Sequence, residues 1–276
     1  SGYAKNLDST FMIVPQNGEA LGYLQANPDL SLNTNYLNAI DGFGVEEIFY
    51  NGKKAIDTYR LDMLRELRTF KKIMVSEYVS DEGDLANAVQ LNDAEGFICF
   101  PRSSGNYDYA YIPAVPMHEN ADPVNHLYQA KNYLYLISNS QFASKQGMID
   151  AIAVTNFDLV IIDLFFEDEP FTATEINQLK TKANGAIRPV LAYMSIGSAE
   201  KYRYYWQENW RLHKPDWLRK KYEGYKDEIW VEYWNPAWKE IIYGNDQSYL
   251  KRIIDADFDG VYLDNVEAYY FLYHRN

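Results

Sequence analysis

One cysteine, Cys99, stands in the whole sequence, so no internal disulfide can staple the fold. The 4 histidines are scattered without paired spacing, which leaves no zinc signature; no metal and no other cofactor is expected. No apolar run approaches the roughly 18 residues that a membrane-spanning helix needs. Basic residues are scarce as well: 26 Lys and Arg face 39 Asp and Glu, for a net charge of −13. That balance argues against nucleic acid and anionic membranes as partners and leaves a surface that attracts cations. No Gly-x-Gly-x-x-Gly turn follows an apolar segment, and no Gly-x-Ser-x-Gly elbow occurs, so nucleotide sites and serine hydrolases lose their usual signatures. No signal peptide opens the chain, although a mature secreted form would have lost one. The expectation is a secreted, periplasmic or cell-surface protein.

Aromatic residues are abundant instead. Tyr 25, Trp 6 and Phe 13 make up 16% of the chain. Aromatic faces stack on the apolar C–H patches of sugar rings, and tyrosine hydroxyls bond sugar oxygens. For any single tyrosine, packing remains the commoner role.

Apolar runs begin near residues 11, 42, 72, 96, 133, 159, 189 and 261, which makes eight predicted strands. Helical or loop segments alternate with them. Tyr59–Phe70 places Leu61, Leu64 and Leu67 on one face, and Phe171–Lys182 has Thr172 as a cap with Glu175 in its first turn. Alternation of this kind argues for parallel strands, and eight of them argue for a (β/α)8 barrel, which commonly needs about 250 residues. A doubly wound open sheet is the rival. Residues 103–125 are rich in Pro, Gly and Asn without period and read as a linker. Residues 202–238 hold all 6 Trp and read as a structured insertion at the barrel mouth.

Acids cluster where such a barrel keeps its chemistry, at the C-terminal tips of strands. Val261-Tyr262-Leu263 runs into Asp264, with Glu267 close behind. Phe11–Val14 ends at Pro15 and a polar rim of Gln16, Asn17 and Glu19. The strand Gly42–Tyr50, closed by Asn51-Gly52, carries Glu46 and Glu47. Because side chains alternate along a strand, one of that pair must face inward or sit at the mouth. Glu77 and Asp163 end two further strands. Two strand-end carboxylates, Asp264 and Glu19, suit acid/base or nucleophilic work on a glycosidic bond. The plainer reading makes them ordinary mouth acids, solvated or paired with arginine.

Five segments together resemble successive motifs of glycoside hydrolase family 114, the endo-α-1,4-polygalactosaminidases and their relatives. They are Leu159-Val-Ile-Ile-Asp163, Val190–Glu200, Tyr202-Arg-Tyr-Tyr-Trp206, Val231-Glu-Tyr-Trp-Asn-Pro-Ala-Trp238 and Phe258–Glu267. Ile13–Glu19, Val45–Tyr50 and Ile73–Val79 are similar to the same family, but to its C-terminal half. The resemblance therefore implies one barrel domain over 1–276 in circularly permuted order, with 103–132 as the joint between the family's old ends. New termini in a closed barrel are tolerated in any loop. The helix expected between the Asp264 strand and Phe11 would be split or shortened.

Carried over by position, the resemblance gives Asp264 the nucleophile role, Glu19 the general acid/base role as first choice, and Glu46 as runner-up. Asp163 would bind a sugar amine or hydroxyl, or else pair with Arg203. Tyr193, Tyr205 and Trp234 are candidate sugar platforms, with Asn17 and Glu77 completing the rim. Asn265 and Glu267 stand where members of the family differ. The implied substrate is a polysaccharide or oligosaccharide, of which a cationic amino sugar such as α-1,4-linked galactosamine is the leading case. The competing class is a carbohydrate-binding barrel without turnover, and two carboxylates on one face favour the enzyme.

Overall fold

The computed structural model describes residues 1–103 and 109–273. All eight expected strands are present: β1 Met12–Pro15, β2 Gly42–Lys54, β3 Lys72–Val79, β4 Ile98–Arg102, β5 Leu134–Leu136, β6 Val160–Asp163, β7 Val190–Ser195 and β8 Gly260–Asp264. One parallel sheet of five strands runs β5-β6-β7-β8-β1, and a parallel sheet of three runs β2-β3-β4. A parallel bridge between Gln16 and Gly44 joins β1 to β2, and the Asn17 N–H donates to the Gly44 carbonyl at 2.7 Å beside it. Near β4 and β5 the rings of Phe100 and Tyr133 lie 5.7 Å apart, and the Ser138 N–H donates to the Tyr109 carbonyl at 3.1 Å. The result is a mixed α/β fold around a central parallel sheet.

Parallel strands covered on both faces become continuous apolar runs. Val160, Ile161 and Ile162 are each 0% exposed, as are Val45, Val75 and Ala192. Several helices start with side-chain caps that take up otherwise unpaired N–H groups. Asp57 accepts from the Arg60 N–H at the head of the helix Thr58–Leu67, and Thr172 with Glu175 forms a capping box on Ala173–Leu179. The strands β8 and β1 are parallel neighbours, so the two chain ends meet on adjacent strands. The helix expected between them is short and divided, as Gly2–Leu7 and Ala268–Tyr273.

The boundary expected at Asn51-Gly52 is wrong, because β2 continues to Lys54. Its register against β3 shifts between Glu46, opposite Ser76, and Asn51, opposite Tyr78. The bulge starts at Glu47, whose φ of 59° lies in the left-handed region. Residues 104–108 of the expected joint lie outside the described residues. Its remainder is anchored: the buried Lys182 ammonium donates to the Asp122 carbonyl at 2.8 Å and to Asp158 at 2.5 Å. The Asn120 amide donates to both Asp158 oxygens at 3.1 Å.

The insertion at 202–238 contributes to a three-stranded antiparallel sheet of Ser198–Glu200, Glu228–Val231 and Leu218–Lys221, in that order. Its tryptophans mostly pack on one another. Trp206, Trp210, Trp217 and Trp238 form a chain of rings with centroids 5.5, 5.0 and 5.3 Å apart.

Candidate active site

A cavity of about 880 Å³ opens at the C-terminal ends of the parallel strands, where an α/β sheet places its ligands. Strands β1, β2 and β8 are built alike where they reach the cavity. Gln16, Glu46 and Asp264 line the cavity, and each is followed by a residue with positive φ: Asn17 at 58°, Glu47 at 59° and Asn265 at 60°. Such non-glycine conformations are uncommon and must be held by their surroundings. In each case the left-handed residue breaks the regular strand, by a bulge in β2 and at the strand end in β1 and β8, while the side chain before it stays on the cavity wall.

Asp264 is held by neutral donors. The Tyr193 hydroxyl donates to its Oδ2 at 2.6 Å and the Asn265 N–H to its Oδ1 at 2.7 Å. Burial pushes the Asp264 carboxyl up to about 6; the Tyr193 bond pulls it back and the Glu46 charge pushes it further. Glu46 is engaged similarly. Its Oε1 accepts from the Tyr109 hydroxyl, and its Oε2 from the Asn17 amide at 3.4 Å. Tyr109 in turn stacks on Tyr135 at 3.9 Å and lies 4.5 Å under the Arg102 guanidinium. The two acids of the β2 pair part at the bulge: Glu46 lines the cavity, while Glu47 is not among the lining residues and pairs with Arg102 at 3.2 Å.

Among the other acids that line the cavity, burial acts strongly on two. Burial raises Glu267 to about 8, helped by the charges of Glu19 and Asp264 and opposed by Arg60. Burial raises Glu228 to about 7, with the Glu200 charge adding to it and a 2.7 Å bond from the Ser198 hydroxyl opposing it. Glu267 was visible in the sequence as a second acid after β8. Glu228 sits in the aromatic insertion, where no spacing rule singled it out. Tyr109 was hidden in the stretch that read as a linker.

The remaining expected site residues divide. Asp163, Tyr193 and Asn17 line the cavity. Asp163 is also the arginine partner: Arg203 donates to its two oxygens at 2.8 and 2.6 Å, and the Phe165 N–H adds a third bond at 2.8 Å. Glu19 is not among the cavity-lining residues and is only 5% exposed. Its carboxylate is bonded by Arg60, which also donates to the Glu46 carbonyl and to the Asn17 side chain, each at 2.8 Å. Glu77 is 0% exposed and is not part of the rim; it accepts from the Phe49 and Tyr50 N–H groups and from Asn92. Tyr205 packs its edge on Trp238 at 5.6 Å, and its hydroxyl accepts from the Glu200 N–H. Trp234, 39% exposed, lies outside the cavity beside Tyr233 and Tyr273. An aromatic count cannot say which face a ring presents, and these two present theirs elsewhere. Among the described residues no group of three or more metal-ligating side chains occurs, and no helix is long and apolar enough to cross a membrane.

The raised acids give the fold a pH dependence with a definite sign. Asp264, Glu228 and Glu267 bind their protons more tightly folded than unfolded, where ordinary values of 3.8 and 4.5 apply. The stability this supplies is complete below those ordinary values and is lost as pH rises through 6, 7 and 8. The melting temperature is expected to fall between about pH 5.5 and 8.5, at roughly 2–4 °C per kcal/mol lost. A melting curve that is flat or rises over that range contradicts the assignment.

A cavity over parallel strand ends, walled by carboxylates and tyrosines, marks an α/β protein suited to a polar ligand. The family model of glycoside-hydrolase family GH114 matches residues 128–276, more than half of the chain, and the chain belongs to that family. Curated relatives include uncharacterised proteins of three organisms. The Thermotoga maritima protein is 32% identical over 138 residues, covering 50% of this chain and 39% of its own. The Deinococcus radiodurans protein is 38% identical over 125 residues, covering 45% and 38%. The Methanocaldococcus jannaschii protein is 36% identical over 155 residues, covering 52% and 42%. The chain thus spans about two fifths of the length of these relatives.

Proposed function

We propose that the protein is a glycosidase that cleaves an amino-sugar polysaccharide, with α-1,4-linked galactosamine polymer as the leading substrate. The observation that carries this reading is the meeting of Asp264 and Glu46 on the cavity wall of a GH114 member, each held by neutral hydrogen-bond donors. In this mechanism Glu46 gives its proton to the glycosidic oxygen as the C–O bond breaks. Asp264 attacks the anomeric carbon or stabilises its developing positive charge. Water then supplies the new hydroxyl and returns a proton to Glu46. The acid/base role passes from Glu19 to Glu46 because the Glu19 carboxylate is taken up by Arg60 away from the cavity.

The eight strands are proposed to close into one barrel at the β4–β5 gap, with the chain following the family order from a different starting point. The β8–β1 pairing supports that reading, as does the family match confined to 128–276.

Support for a cationic substrate comes from the carboxylates of Glu46 and Asp264 on the cavity wall and from the net charge of −13. Binding of de-N-acetylated galactosamine polymer, followed by isothermal titration, should tighten at low salt, because screening weakens attraction between partly exposed charges. The fully N-acetylated polymer should show a much weaker salt response. Equal affinities and equal salt responses for the two polymers overturn the amino-sugar assignment.

A further inference from the structure

Strand β2 aims Glu46 into the cavity by departing from a regular ladder. Between Glu46 and Asn51 it carries more residues than β3 opposite, and Glu47 is left-handed. A bulge leaves backbone groups without ladder partners, and an unsatisfied buried N–H costs about 1–3 kcal/mol. The carbonyls of Ile48 and Phe49 are taken by the N–H groups of Asp57 and Ala55, at 2.9 Å each. The N–H groups of Phe49 and Tyr50 turn the other way, toward Glu77 on β3.

Three donors converge on the Glu77 carboxylate. The Phe49 N–H straddles both oxygens at 3.1 and 3.3 Å, the Tyr50 N–H reaches Oε2 at 3.0 Å, and the Asn92 amide reaches Oε1 at 3.0 Å. Glu77 is 0% exposed, and so are Ile48 and the Asn92 side chain's residue, so water has no route to replace it. Burial pushes the Glu77 carboxyl up to about 7, and the Asn92, Tyr50 and Phe49 bonds pull it back; once ionised it accepts at both oxygens and donates at neither, which is the chemistry three N–H groups require. A glutamine of the same shape would set its own N–H2 against one of them.

We propose that Glu77 is the positioning residue for Glu46: its carboxylate holds the bulge that presents Glu46 to the glycosidic oxygen. This rests on the reading of Glu46 as the acid/base. Glu77 touches no substrate and works through the backbone three residues beyond Glu46. Its presence among the strand-end acids in the sequence reflects that duty, and not a place on the rim.

The test compares the parent with Glu77→Gln, Asn92→Ala and Glu46→Gln on de-N-acetylated α-1,4-galactosamine polymer, measuring kcat and KM separately. Misplacement of a catalytic group by about 1 Å can cost roughly 10²-fold in rate. Glu77→Gln is therefore expected to lose about 10–10²-fold in kcat with KM nearly unchanged. Asn92→Ala, which removes one of the three donors to Glu77, is expected to lose less, and it keeps the question answerable if Glu77→Gln does not fold. A Glu77→Gln enzyme with parental kcat beside an inactive Glu46→Gln overturns the positioning role and leaves the proposed function intact. Equal losses in kcat, substrate affinity and melting temperature in Glu77→Gln and Asn92→Ala also overturn it, since they describe a purely structural residue. An active Glu46→Gln, or a parent without turnover, overturns the proposed function and the positioning role with it.

Discussion

Asp264→Asn is expected to lower turnover on the order of 10³-fold or more while leaving fold and ligand binding in place. The substitution keeps the size of the side chain and removes its charge. Asp264 ends β8, where the Asn265 N–H and the Tyr193 hydroxyl bond its two oxygens. The Asn oxygen can keep the first bond, and the hydroxyl can rotate to accept from the new amide, so little strain is introduced. What disappears is the negative charge facing the anomeric carbon, an interaction made mainly in the transition state. Loss of such an interaction appears in kcat and leaves binding alone. Circular dichroism should therefore match the parent, the melting temperature should not fall, and the polymer should still bind while turnover drops. Near-parental kcat in Asp264→Asn removes this carboxylate from the mechanism.

Glu46→Gln is expected to cost about 10²–10⁴-fold, the usual share of general acid–base catalysis. The loss should be smallest on aryl glycosides with good leaving groups, which depart with little protonation, and largest on the polymer itself. The Tyr109 hydroxyl can still donate to the glutamine carbonyl, and the 3.4 Å contact with Asn17 is long, so the local structure should persist. Glu267 is the control that separates the alternatives, because burial holds it protonated up to about 8 on the same cavity wall. If Glu267→Gln is inactive on the polymer while Glu46→Gln is nearly normal, the proton donor is Glu267.

The strands were legible because each contains a short apolar run bounded by polar or turn residues. That pattern survives in the structure from Met12–Pro15 to Gly260–Asp264. Strand-end position also found Asp264 and Asp163, since direction along a strand decides which residues reach the mouth, and the family resemblance singled out Glu46. What the pattern cannot carry is a partner from elsewhere in the chain. Glu19 reads as a mouth acid until Arg60, on the helix Thr58–Leu67, takes its carboxylate. Glu77 reads as a rim residue until the bulge in β2 turns two N–H groups onto it. The bulge itself left no glycine at Glu47 to announce it, and the positive φ falls on an acid. Tyr109 was missed for the opposite reason. A Pro-, Gly- and Asn-rich neighbourhood suggests a connector, and only the fold shows that its tyrosine reaches Glu46 and stacks on Tyr135. The tryptophans show the same limit: their crowding in 206–238 was plain, yet four of them serve as packing for one another.

The central claim is that Asp264 and Glu46 form one hydrolytic centre, and release of reducing ends from de-N-acetylated α-1,4-galactosamine polymer tests it most directly. The parent, Asp264→Asn and Glu46→Gln are followed side by side near pH 6 at low salt, with polymer binding measured on the same preparations. The account predicts steady release by the parent, release lower by about 10²-fold or more in both variants, and binding retained in all three. A parent that binds the polymer and releases nothing, or variants that release reducing ends at the parental rate, contradicts it.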